Sequence, residues 1–307
     1  MGGSVGRYAA RAGHQVMGTG RSGDAGAGWP GEYVQAVPTA DNFGEIIRNF
    51  APDLLLHAAG SASVGDSLSN PLGDLNAAAV TCANLFEGVR LSGARPRVVV
   101  PSSASVYGNP ETLPINEDAR VEPISPYGFH KAICELLARE YSSCFGLDIT
   151  VCRFFSVFGP AQRRLLIWEL YRQLAGPDPI VWLDGKGSES RDFLYIDDVA
   201  RVVLQLAQQR EQTAAGGNYT VLNIGRGIET GVQDIARQLR EIIAPDKEIR
   251  CRGNARPGDP LRWQADISRL RSILPGWQPG SLADGLALCI ADWKSDAWES
   301  ANAEGVE

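Results

Sequence analysis

The chain has 307 residues, 44% hydrophobic and 21% charged, with a formal net charge of −7. This length supports a large core in one or two domains. The acidic balance, without a basic stripe interleaved with aromatics, excludes a general nucleic-acid binder. No apolar run approaches the roughly 18 residues of a membrane span, and the amino terminus lacks the pattern of a secretory signal. The six cysteines (Cys82, Cys134, Cys144, Cys152, Cys251, Cys289) form no C-x-x-C pair and there are only three histidines. A metal site and a disulfide framework are therefore not expected; buried reduced thiols in a cytoplasmic protein are.

Taken in chain order, Ser4–Ala12 reads as a helix, Gln15–Thr19 as a short strand and Asn42–Asn49 as an amphipathic helix. Asp53–His57 is an apolar strand, Pro71–Leu91 a long helix and Arg97–Pro101 another strand. The helix Pro126–Phe145, the strand Asp148–Phe154 and the helix Ile196–Gln209 follow. Such βα alternation predicts a parallel, doubly wound α/β sheet with right-handed crossovers. Residues 160–187 and 225–293 interrupt the pattern with Pro, Gly, Arg and Trp, which suggests a smaller lobe over the carboxyl edge of the sheet.

The chemistry concentrates in Ser103, Tyr127 and Lys131. Tyr127 and Lys131 are four residues apart, so on a helix they share one face. A free phenol loses its proton only near pH 10, and an ammonium beside it favours the phenolate. A serine hydroxyl can then hold a substrate oxygen in reach. The set suits proton transfer to or from an alcohol or ketone while a hydride moves elsewhere. Chance spacing on a surface helix would give the same Tyr-x-x-x-Lys, but the context speaks for function. Ser125 can cap the helix and Pro126 fits its first turn, while Val98–Gly108 reads as a buried strand ending in small polar residues, where open α/β sheets bind ligands.

At the amino terminus, Gly3-Ser4-Val5-Gly6 supplies the last two glycines of a G-x-x-G-x-x-G turn before a helix, the cradle of a dinucleotide pyrophosphate. The first glycine and the strand before it would lie ahead of Met1. The expectation is a Rossmann-like sheet with a shortened amino terminus, whose first strand is missing and whose neighbours lose ladder partners. After the second strand comes Thr19-Gly20-Arg21-Ser22. With no acidic residue for a ribose 2′-hydroxyl and Arg21 available for a 2′-phosphate, NADP is favoured over NAD. A loop arginine in solvent is the plain alternative.

Together these motifs resemble the extended short-chain dehydrogenase/reductase family, the NAD-dependent epimerase/dehydratases of nucleotide sugars. The resemblance spans nearly the whole chain: Gly3–Gly6, His57-Ala58-Ala59-Gly60, Ser102–Gly108, Ser125–Lys131, Arg153–Pro160, Arg191–Asp198 and Arg256-Pro257-Gly258-Asp259-Pro260. It implies Tyr127 as general acid/base, Lys131 as its partner and as a ligand of the nicotinamide ribose, and Ser103 as a hydrogen-bonding group for the reacting sugar oxygen. It implies cofactor contacts at Gly3, Gly6, Arg21, Ala58, Ala59 and Lys131, and substrate contacts at Ser103, Ser156, Arg191, Arg256 and Asp259. The two arginines would grip the diphosphate of a nucleotide sugar, unless they are surface partners of Asp192 or Asp259. The implied domains are residues 1–155 with 193–226 for the dinucleotide, and 156–192 with 227–307 for the nucleotide sugar. A homodimer through the helices starting at Pro71 and Pro126 is implied as well.

Two departures from the family pattern stand out. Ser156 replaces the usual Asn, and Pro38 stands near the expected adenine-contacting Asp. Ala104 and Ser105 follow Ser103, so the extra acid–base group of a 4,6-dehydratase is missing. Epimerisation or reduction of a keto sugar remains, with epimerisation placed slightly ahead; Arg21 leans toward a reductase. A non-catalytic dinucleotide-sensing scaffold would explain the incomplete glycine turn but not the Ser103–Tyr127–Lys131 set. Trp168, Tyr171, Trp182 and Trp263 are expected mostly as core, with stacking on a base as the alternative.

Overall fold

The computed structural model describes residues 1–23, 25–26, 28–60, 63–209, 218–254, 258 and 260–295. The apolar runs form the strands Leu54–Leu56, Arg97–Ser103 and Ile149–Phe154, joined by Tyr219–Ile224. All four are parallel, in the order Tyr219–Ile224, Ile149–Phe154, Arg97–Ser103, Leu54–Leu56. Ser103 pairs with Phe154 at the carboxyl end.

Successive side chains point to opposite faces of a strand, and here each face meets its own core. Val98, Val100, Ile149 and Val151 pack with Ile47, Phe86 and Ala138 from the helices Ala40–Phe50, Thr81–Ser92 and Pro126–Phe145. Val99, Cys152 and Leu222 pack with Val5 of the helix Gly2–Arg11, Val199 and Val203 of Ile196–Gln208, and Trp277. The result is a sheet with helices on both sides, a doubly wound Rossmann-like arrangement. A third cluster gathers Trp168, Tyr171, Val181, Ile235, Leu286 and Trp293 from the helices Leu165–Ala175, Val232–Ile243 and Leu282–Trp293 and the parallel strands Ile180–Leu183 and Glu248–Cys251.

Met17–Gly20 pairs in parallel with Glu32–Gln35 as a separate two-stranded sheet. No ladder joins it to Leu54–Leu56 among the described residues. The long helix expected over Pro71–Leu91 is divided into Pro71–Leu75, a π turn over Asn76–Val80 and Thr81–Ser92. The Thr81 hydroxyl donates to the Asn76 carbonyl at 3.0 Å, five residues back, and fills the widened turn. The thiols carry no disulfide; Cys144 is exposed and Cys251 half-buried rather than core. Among the described residues no helix is long and apolar enough to cross a membrane, and no cluster of metal-ligating side chains occurs.

Candidate active site

Helix Pro126–Phe145 begins as its sequence requires. The Ser125 hydroxyl accepts from the Gly128 amide at 3.2 Å, and Pro126 fills the first turn, where no amide partner is needed. The Tyr127 amide donates to the Ser67 hydroxyl at 3.1 Å, tying the helix start to its neighbour Val64–Ser69. Across from it, strand Arg97–Ser103 ends at Ser103, whose hydroxyl accepts from the Ser105 amide at 3.1 Å and caps a 3-10 turn over Ala104–Tyr107. The helix approaches this turn so closely that a β-carbon on Gly128 would lie 2.7 Å from the Ser105 carbonyl oxygen. That contact explains a glycine directly after Tyr127.

Lys131 is buried, and its ammonium donates to the Pro101 carbonyl at 2.9 Å. It stands 5.7 Å from the centre of the Tyr127 ring. The structure thus brings Tyr127 and Lys131 together and ties Lys131 to the strand that carries Ser103. One turn further, Glu135 is buried as well and accepts from Arg153 Nε at 3.0 Å and Nη2 at 2.7 Å, and from the Ser102 hydroxyl at 2.5 Å. Arg153 Nη1 donates to the Tyr107 hydroxyl at 2.8 Å and the Glu117 carbonyl at 2.9 Å. Burial opposes the Arg153 charge, but the Glu135 carboxylate outweighs it and holds the guanidinium above its ordinary value. Burial pushes the Tyr107 hydroxyl up to about 12. The sequence reading did not single out Glu135 or Arg153. Their signal was present: 127, 131 and 135 form an i, i+4, i+8 stripe, and Arg153 sits in an otherwise apolar strand.

On the cofactor side, a β-carbon on Gly2 would lie 2.9 Å from that of Ala58, so the first turn of Gly2–Arg11 abuts the His57-Ala58-Ala59-Gly60 loop. Gly3, Ala58 and Ala59 are exposed and present little side-chain bulk. Gly6 is buried under the Trp29 ring, where a β-carbon would lie 2.6 Å from the indole. The absence of a side chain lets helix Gly2–Arg11 pack under this indole. Arg21 is exposed beyond the strand Met17–Gly20, and its carbonyl accepts from Gln35 Nε2 at 2.9 Å. His57 is buried, and its Nε2 has no hydrogen-bond partner. Burial, reinforced by the Lys131 charge, lowers this imidazole to about 4, so it is neutral near pH 7.

Ser156 opens the strand Ser156–Phe158, and Arg191 lies in the strand Ser190–Arg191. The Ser156 amide donates to the Asp192 carbonyl at 2.8 Å. The Arg191 guanidinium donates to the Ser190 carbonyl at 2.8 Å and lies 5.5 Å from the centre of the Trp263 ring. Trp263 in turn donates to the Gly108 carbonyl at 3.1 Å, which links Arg191 to the loop after Ser103. The Asp192 carboxylate accepts from the amides of Arg226, Gly227 and Ala265 at 2.7, 2.8 and 3.1 Å. Burial nevertheless raises it to about 6. Arg256 and Asp259 lie outside the described residues; Gly258 between them sits with φ +80°, where a β-carbon would lie 3.2 Å from that of Ser125. Trp168 and Tyr171 are core, and Trp182 is half-buried with the Arg252 guanidinium 5.1 Å from its ring centre.

These elements match known proteins over most of their length. A UDP-glucose 4-epimerase of Mycolicibacterium smegmatis is 32% identical over 266 residues, covering 84% of this chain and 82% of that one. The structure of MoeE5 in complex with UDP-glucuronic acid and NAD superposes with a TM-score of 0.81 at 27% identity, covering 94% and 96% of the two chains. A UDP-glucose 4-epimerase from Thermotoga maritima, solved with UDP-glucose, superposes with a TM-score of 0.83 at 25% identity and 95% coverage of each. The model of the NAD dependent epimerase/dehydratase family matches residues 1–225. The chain is an enzyme of the NAD dependent epimerase/dehydratase family.

Proposed function

We propose that this enzyme is a nucleotide-sugar epimerase that inverts one hydroxyl-bearing carbon through a transient keto sugar. The observation that carries the reading is the buried Lys131, 5.7 Å from the Tyr127 ring centre and bonded at 2.9 Å to the carbonyl of Pro101, which lies on the strand that ends at Ser103. Tyr127 takes the proton of the sugar hydroxyl as its carbon is oxidised. Ser103 donates to the same sugar oxygen and orients it, and the Lys131 ammonium offsets the charge left on the phenol oxygen. A nicotinamide held beside Lys131 would supply the acceptance and return of the hydride that this requires. After the keto sugar turns its other face, Tyr127 gives the proton back, so the cycle is redox-neutral.

The residues present fit a dinucleotide. Gly3, Ala58 and Ala59 are exposed beside the first turn of a helix, Gly6 allows that helix to pack, and Lys131 reaches the same edge of the sheet. Arg21 would pair with a ribose 2′-phosphate, which favours NADP over NAD. Arg191 and Arg256 would hold the diphosphate, with Ser156 and Asp259 contacting the substrate in the lobe formed by 156–192 and 227–307. The small, non-acidic Ala104 and Ser105 after Ser103 disfavour elimination of water. Exposed apolar side chains Leu68, Leu72, Phe129, Ile133 and Leu136 lie on the helices Val64–Ser69, Pro71–Leu75 and Pro126–Phe145. This row supports a homodimer through a second copy of the same face.

A panel of UDP-, GDP-, dTDP- and CDP-sugars, with and without NADPH, tests the reading. Isomerised product without NADPH consumption is expected, and Tyr127→Phe should abolish it. Full activity of Tyr127→Phe refutes the mechanism. Arg21 also favours a second reading, a 4-keto-6-deoxysugar reductase, since a reductase must exchange its cofactor with the cellular pool; stoichiometric NADPH oxidation would select it.

A further inference from the structure

We infer that Glu135 and Arg153 are positioning residues for the proposed reaction, setting the distance between Ser103 and Tyr127. The inference rests on the reading above and adds to it a device that the Ser-Tyr-Lys set does not contain. From its strand Arg153 reaches three separate parts of the fold. It lies on strand Ile149–Phe154, grips Glu135 on the Tyr127 helix, and donates to Tyr107 in the turn after Ser103 and to the Glu117 carbonyl. Tyr107 passes the chain on to Asn223 of the next strand at 2.7 Å, and the Asn223 amide closes on the Glu117 carboxylate at 2.8 Å. Glu135 takes the Ser102 hydroxyl at 2.5 Å, one residue before Ser103. With the Lys131–Pro101 bond, two consecutive strand residues are therefore fastened to two consecutive turns of one helix face.

A buried ion pair is a weak device for stability, because a well-packed apolar pair of similar volume does as well or better. Its particular property here is geometric. A planar guanidinium with donors in a rigid fork admits one arrangement of its partners, whereas apolar packing tolerates sliding. Misplacement on the order of 1 Å costs roughly a hundredfold in rate, so this is the interval in which such rigidity matters. On the reading above the diphosphate is held by Arg191, whose guanidinium donates to the Ser190 carbonyl at 2.8 Å, so the network is expected to act on kcat rather than on KM.

The test compares steady-state turnover of the preferred nucleotide sugar by wild type, Glu135→Gln and Ser102→Ala, with thermal unfolding in parallel. Glu135→Gln should remain folded, lose at least about tenfold in kcat and keep KM within about twofold. Ser102→Ala, which deletes one hydrogen bond and almost no volume, should lose about threefold in kcat with KM unchanged. Ser102→Ala decides the matter if Glu135→Gln fails to fold. Wild-type kcat in the folded variants, or a fall in kcat matched by a rise in KM, overturns the inference. A wild-type chain that turns over no nucleotide sugar refutes the enzymatic reading beneath it, and is distinguished by that control.

Discussion

Gly128→Ala isolates the approach of the Tyr127 helix to the Ser103 turn. The added methyl would lie 2.7 Å from Ser105 O and 2.8 Å from Pro123 Cβ. Ordinary contacts between carbons are about 3.5–4.0 Å, so the helix start and the turn must separate by roughly half an ångström to one ångström. Neither side yields freely. Ser103 caps the turn, and Ser67 and Ser125 hold the helix start. Overpacking costs about 1–3 kcal/mol, partly offset by a helix propensity gain of up to about 1 kcal/mol. Stability should fall by no more than about 2 kcal/mol in urea unfolding. The same displacement enters the reaction geometry, where it costs roughly a hundredfold. Turnover assays should therefore show kcat down ten- to a hundredfold, with substrate KM little changed. A variant with wild-type kcat and a measurable loss of stability would refute the reasoning, because the overpacking would then not reach the reacting groups.

Asp192 and His57 should make opposing contributions to stability in one pH window. Burial raises Asp192 from 3.8 to about 6, so between those values the folded state keeps a proton the unfolded chain has released, and stability falls as pH rises. Burial and Lys131 lower His57 from 6.5 to about 4; here the unfolded chain binds the extra proton and stability rises with pH. Each amounts to about 3 kcal/mol, so they nearly cancel in the wild type. Urea unfolding from pH 4 to 7 should rise for Asp192→Asn and fall for His57→Gln; parallel profiles would refute the assignment. Ser125→Ala removes the helix cap and should cost about 1 kcal/mol, read as a lower urea midpoint. Arg21→Ala should weaken NADPH on the order of tenfold in a fluorescence titration and leave NADH unchanged; equal losses would place Arg21 away from the 2′-phosphate.

Local features made part of this protein readable in one dimension. Four-residue spacing puts Tyr127 and Lys131 on one helix face, Ser125-Pro126 marks where that helix begins, and apolar runs identify strands buried on both sides. These depend on neighbours along the chain, so their pattern suffices. The glycine pair Gly3 and Gly6 reads as a pyrophosphate turn, but the packing of Gly6 under the Trp29 ring, 23 positions away, is not legible in the sequence. The strand Tyr219–Ile224 escaped because it is short and carries Thr220 and Asn223 among its apolar residues, and the helices of the third cluster escaped because the Pro-, Gly- and Arg-containing segments around them break the βα alternation. The Glu135–Arg153 pair exists only because helix Pro126–Phe145 folds back on strand Ile149–Phe154, and charge pairing at that separation leaves no periodic trace. Residue types and spacing pointed to Ser103, Tyr127 and Lys131 as the groups proposed to move a proton. Burial and long-range hydrogen bonding, which arise only when the layers close, decided that Lys131 is anchored to Pro101, that His57 is held below its ordinary value, and that Glu135 joins Arg153 to Ser102.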